Sequence, residues 1–188
     1  SFVFNDEMDV DGEPIEAGLE MLDKAEVIIG HNIINYDLPV LDKLRGWKPD
    51  TSIRDTLVMS RLIHADIRDE DFVRRAKKID NDFPSKLIGS HSLKAWGYRV
   101  GQLKGSFKEQ HGFDVWCPEM EEYCIQDTKI TAELFRSFEA KNYSEISIEL
   151  EHMFALIMTM QELRGFCFDV PAANRLYGEL AGEKLGLD

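Results

Sequence analysis

Three consecutive β-branched residues, Val27-Ile28-Ile29, stand between two stretches with helical spacing of apolar residues. Before them Ile15, Leu19 and Leu22 mark a helix over 15–24. After them Pro39 sits where a second helix begins, followed by Val40, Leu41 and Leu44. Such a run reads as a short strand buried on both faces. Helix, buried strand and helix in succession are the pattern of an α/β sheet, which constrains the fold more than any other feature here.

The remaining pattern extends this reading. Ser1 to Phe4 reads as a short strand and Asn5 to Pro14 as an acidic turn. Ile53 marks a short strand ahead of a helix from Thr56 to Ile63, with Leu57, Leu62 and Ile63 inward. Asp66 to Lys86 is rich in both charges and poor in apolar residues, so it reads as a long exposed loop. A short helix follows at Leu93 to Trp96, then a glycine-rich, mildly basic stretch from Gly97 to Gly112. Pro118 to Glu139 and Ser147 to Arg164 read as strong helices, the latter stopped by Gly165. Phe166 to Asp169 reads as a short strand, and Pro171 starts a last helix. A boundary is expected near Lys141 to Ser144, where the first of the two strong helices ends.

Composition narrows the partners. The chain has 188 residues, enough for one domain and a short piece of a second. The absence of an initial methionine and the stop just after a helical pattern suggest a segment of a longer polypeptide. Its formal charge of −13 repels phosphate polyanions as a whole, so contact with nucleic acid would need a local basic patch or bound cations. Three cysteines without a Cys-x-x-Cys pair argue against a disulfide framework or zinc site and fit a reducing cytoplasm. The start of the chain is acidic where a signal peptide would be basic. No apolar run approaches the roughly 20 residues of a membrane span, so no membrane partner is expected.

One acid stands in an unexpected place. On the helix from Pro118, the apolar stripe comprises Met120, Tyr123, Cys124, Ile130, Thr131, Leu134 and Phe138. Asp127 falls at its centre. Burying an ionised carboxylate without a partner costs several kcal/mol or more, so this one needs a cation, a hydrogen-bond donor or a metal ion. Tyr123 lies one turn earlier on the same stripe. A structural acid paired with a basic side chain and a metal-binding acid both satisfy the pattern.

Two further clusters invite attention. Gly30-His31-Asn32-Ile33-Ile34-Asn35-Tyr36-Asp37 follows the buried strand, at the kind of position where ligands gather in open α/β sheets. Asp37 is equally placed to cap the helix that follows. Asp55-Thr56 and Ser90-His91-Ser92 also precede helices, and a capping role suffices for them.

Taken together, Asn32-x-x-x-Tyr36-Asp37 resembles the second motif of the DEDD proofreading nucleases, and Tyr123-x-x-x-Asp127 resembles their third. The stretches Ile53 to His64 and Gly89 to Tyr98 resemble the exonuclease domain of T-odd bacteriophage family A DNA polymerases. Gln161 to Asp169 is similar to the segment that leads from that domain into the polymerase. The resemblance runs from about Ala25 to Asp169.

The resemblance implies an RNase H-like fold, a mixed sheet flanked by helices, over residues 1–143, with the start of a polymerase region over 144–188. It implies a 3′–5′ exonuclease acting on DNA with a single-stranded or frayed 3′ end. Two divalent cations about 4 Å apart, Mg2+ or Mn2+, would clamp the attacking water and the leaving oxygen. Carried over to this chain, Asp37 and Asp127 are metal-binding and catalytic carboxylates, and Tyr123 orients or helps deprotonate the water. Asn32, Tyr36 and His31 belong to the substrate-binding set. Arg74, Arg75, Lys77 and Lys78 are candidates for phosphate contacts, and Trp96, Tyr98 and Phe107 for base stacking, beside the plainer readings of a solvated charge run and core packing.

The family's first motif, Asp-x-Glu on the first strand, has no room ahead of His31. Asp11-Gly12-Glu13 fits the letters but lies in the acidic turn, with no strand before it. The expectation is a domain lacking its first strands, inactive alone, whose remaining partner would be the rest of the polymerase chain. A non-catalytic domain of the same fold and an unrelated acidic interaction module are the competing readings.

Overall fold

The computed structural model describes residues 3, 4, 6, 13–77, 79, 83–101 and 117–186. Among these the chain is mixed α/β, mostly helical, with a small parallel sheet. Its elements are α1 (Ile15–Asp23), β1 (Val27–Gly30), α2 (Asp37–Arg45), β2 (Ser52–Asp55), α3 (Thr56–Ile63), α4 (Ile67–Ala76), a 3-10 turn (Ser85–Leu87), α5 (Leu93–Arg99), α6 (Pro118–Glu139), α7 (Glu145–Arg164) and α8 (Val170–Leu185). Two compact units divide at Ile157/Met158. The first contains the sheet and both apolar cores; the second contains the end of α7 and α8. No helix among the described residues is long and apolar enough to cross a membrane.

β1 and β2 run parallel, with Val27 opposite Ser52, Ile28 opposite Ile53, Ile29 opposite Arg54 and Gly30 opposite Asp55. Joining two parallel strands requires a crossover, and α2 supplies it. Burial on β1 alternates. Ile28 is in the core, whereas Val27 and Ile29 are about 40% exposed. The expected burial on both faces is therefore corrected: of the three β-branched residues, Ile28 alone is buried. Ile28 packs with Ile33 and Ile34, joined by Leu22, Leu38, Trp47 and Ile53. A second core gathers Met59, Ile67, Trp96, Leu134, Phe138 and Ile148. Trp96 is thus a core side chain, its ring edge-on to Phe138 at 5.5 Å.

Four other expectations change. Within the expected loop from Asp66 to Lys86, Ile67–Ala76 forms α4, with Ile67 and Asp71 buried one turn apart. Asp69 and Glu70 in its first turn and Arg74 and Arg75 in its last complement the helix dipole, which offsets the scarcity of apolar residues. The stretch Phe166 to Asp169 forms no strand. Gly165, at φ +66°, ends α7, and Asp169 turns its carboxylate to the backbone N–H of Ala172, capping α8. The short helix at Leu93 runs on to Arg99, and Ser92 caps it by accepting from the N–H of Ala95. On α6, Cys124 is exposed rather than inward, while Ile130, Thr131, Leu134 and Phe138 are buried. Phe4 makes an isolated parallel bridge with Glu13. Ser1, Phe2, Lys78, Phe107 and the Asp11-Gly12 pair, with the expectations attached to them, lie outside the described residues.

Candidate functional site

The sheet positions the site through the loop that leaves β1. That loop must turn sharply from Gly30 into α2, and Asn32 does so in the left-handed region at φ +66°. Asn tolerates this better than most side chains. The geometry is held by Asp55, at the end of the neighbouring strand. Its carboxylate accepts from the backbone N–H of Asn32 at 2.8 Å and of Ile34 at 3.2 Å, and from the N–H of Leu57 at 2.8 Å, so one acid caps α3 and pins the loop. Capping was expected of Asp55. Its hold on the loop was not, because nothing in the local sequence shows which distant N–H groups come within reach.

Next to it, Thr56 donates its hydroxyl proton to the carbonyl of Gly30 at 3.2 Å, and its oxygen lies 2.9 Å from Nδ1 of His31. A hydroxyl has one proton, so the arrangement that satisfies every partner has His31 donating from Nδ1. Gly30 has no spare room: a Cβ there would lie 2.6 Å from Cβ of Ile33.

Asp37 is the first residue of α2, and the N-cap position belongs to Tyr36, which makes no side-chain cap bond. The capping alternative for Asp37 is thereby corrected. Burial raises its carboxyl above the usual range, its own backbone N–H opposes this, and the nearby charge of Asp55 adds to the rise.

Asp37 and Asp127 line the same pocket, about 460 Å³ in volume, together with Gly30, His31, Ile33 and Thr131. Asp127 is half-buried on α6, as its position on the apolar stripe implies. Its Oδ1 is a buried oxygen without a hydrogen bond, although the residue is engaged through other contacts. Apart from Asp37, Asp127 and His31, the described lining residues carry no ionisable side chain.

Tyr123, Asn32 and Tyr36 are not among the described lining residues of this pocket. Tyr123 is half-buried one turn before Asp127. Asn32 acts through its backbone, and Tyr36 is 64% exposed at the start of α2. Among the described residues, no group of three or more His, Cys, Asp or Glu side chains is gathered as metal ligands. The two carboxylates of the pocket are hard oxygen donors, the chemistry that suits magnesium or manganese, and they fit as part of a ligand set. Of the basic run, Arg74 donates to the carbonyl of Arg99 and Arg75 to the hydroxyl of Ser85. Tyr98 packs edge-on against Phe83.

The chain is similar to the DNA-directed DNA polymerases of Escherichia phage T7 and Enterobacteria phage T3. It is 32% identical to each over 200 residues, a match covering 84% of this chain and 28% of each polymerase. No family model matches it. The chain is thus related to phage DNA polymerases and spans little more than a quarter of their length.

Proposed function

We propose that this chain carries the 3′–5′ exonuclease part of a phage-type DNA polymerase, an RNase H-like domain that removes the terminal nucleotide from a DNA 3′ end. One observation carries the reading: Asp37 from α2 and Asp127 from α6 converge on one pocket beside the end of β1. The similarity to phage polymerases supports the same direction at a coarser level.

Asp37 and Asp127 would hold Mg2+ or Mn2+, two ions in the complete site, where two further carboxylates would complete the ligand set. When bound, such ions act as Lewis acids and neutralise charge developing on the phosphate. The protein's own part is positioning. Asp55 fixes the loop of His31 and Asn32, and Thr56 orients the His31 ring. Tyr123, one turn from Asp127, would orient the attacking water. The exposed ring of Tyr36 would meet the sugar or base of a single-stranded or frayed 3′ end. A chain with a formal charge of −13 would then meet DNA locally rather than through its overall field.

In this reading residues 1–143 belong to the exonuclease and 144–188 begin the polymerase region, so the partner of this segment is the rest of its own polypeptide. The setting would be the cytoplasm of a bacterium or an infected host cell. The test is hydrolysis of 3′-labelled single-stranded DNA by the full-length polypeptide with and without Asp127→Ala. The wild type should release mononucleotides with magnesium and the variant almost none. Equal release by both would overturn the reading.

A further inference from the structure

His152, on α7, is a buried ring that the proposed chemistry does not use. It is 5% exposed, and both of its nitrogens are engaged. Nε2 accepts the backbone N–H of Asp55 at 2.7 Å, and Nδ1 donates to the carbonyl of Ile148 at 2.7 Å. An amide N–H can bond only to a ring nitrogen without a proton, and a carbonyl only to one that has it, so the two bonds together select the Nδ1–H tautomer.

The bond matters because of what Asp55 holds. Its own N–H is buried with the rest of the residue, which is 1% exposed, and His152 is the acceptor for it. From Asp55 the connection runs through its carboxylate to the N–H groups of Asn32 and Ile34. It continues through the carbonyl of Asn32 to the N–H of Tyr36 at 3.1 Å, and through the carbonyl of Ile33 to the N–H of Leu38 at 3.0 Å. Those two bonds bracket Asp37. Three consecutive hydrogen-bonded steps thus join a ring on α7 to the start of α2.

We infer that His152 is a positioning residue for the pocket: by seating the main chain of Asp55, it sets the loop that aims Asp37. The inference rests on the proposed function only where it concerns the cation, not where it concerns the loop. A core histidine with a purely packing role would be replaceable by leucine. A positioning one requires an acceptor at the place of Nε2, which the Oε1 of glutamine can supply and the shorter side chain of asparagine cannot.

The test compares His152→Leu, His152→Asn and His152→Gln by amide hydrogen exchange and by Mn2+ titration. Leucine and asparagine should speed exchange at Asp55, Asn32 and Ile34 about tenfold or more, as expected for local opening, with the Leu134 amide still protected as in wild type. They should also weaken Mn2+ binding about tenfold, roughly 1.4 kcal/mol. Glutamine should restore both. Should leucine prevent folding, the asparagine–glutamine pair makes the same comparison with polar side chains. Unchanged protection at Asn32 and Ile34, or a uniform rise that includes Leu134, overturns the inference. If the wild type itself binds no Mn2+, the proposed function fails, while the exchange data still decide the role of His152.

Discussion

Asp71 on α4 and Arg99 at the end of α5 form a two-pronged pair: Nε of Arg99 donates to Oδ1 at 2.9 Å and Nη2 to Oδ2 at 2.7 Å. The two side chains are 3% and 4% exposed. The same guanidinium lies 4.9 Å over the ring of Trp96, and the N–H of Gly89 also donates to Asp71. Removing one member strands a buried charge. Asp71→Asn should therefore cost about 3–5 kcal/mol of unfolding free energy in urea titrations at pH 7. A loss under about 1 kcal/mol would mean that water reaches the pair.

The pH dependence follows from the same pair. Burial pushes the Asp71 carboxyl up, but the Arg99 hydrogen bonds, the Gly89 N–H and the charges of Arg99 and Arg74 outweigh it and leave it below the usual range. An acid with a lowered folded value adds stability that is complete above its unfolded value, about 3.9, and disappears as pH falls through the folded one. Wild type should lose stability more steeply than Asp71→Asn below about pH 4. Parallel curves in the two proteins would contradict this.

Asp37 and Asp55 should respond in opposite ways. Asp55 accepts three backbone N–H groups, so Asp55→Ala should destabilise by about 2–4 kcal/mol. Burial works against the charge of Asp37, which has Asp55 for a neighbour. Without divalent cation, Asp37→Asn should leave the melting temperature unchanged or raise it, as is common where a site is kept at the expense of stability. A clear drop would make Asp37 a structural acid.

Gly30→Ala tests the fit between the strand end and the loop. The added Cβ would lie 2.6 Å from Cβ of Ile33, so the loop must shift. The expected cost is about 1–3 kcal/mol in denaturant titrations, typical of an overpacked site. A neutral substitution would show that the loop has room to move.

Much of this architecture is legible in the sequence because the signals are local. Pro118 to Glu139 carries a proline start and an apolar stripe that only Asp127 interrupts, and that span is the helix observed. Thr56 to Ile63 and the caps at Asp55 and Ser92 follow from spacing alone. What stays hidden depends on distant partners. The charges of α4 look like those of a solvated loop until Arg99 is brought to Asp71. The capping signal before Leu57 does not reveal that the same carboxylate holds Asn32. The exposed face of β1 reflects which neighbours flank the strand, which a β-branched run cannot specify. In the site, the apolar stripe of α6 singles out Asp127, whereas no pattern in the chain marks His152.

The central claim is that Asp37 and Asp127 grip one cation between them. Calorimetric titration of Mn2+ into the wild-type chain, Asp37→Ala, Asp127→Ala and the double variant tests it directly. The account predicts a binding heat in the wild type, its loss in either single variant, and no further loss in the double, as for two groups acting as one site. Identical heats in all four proteins would contradict it.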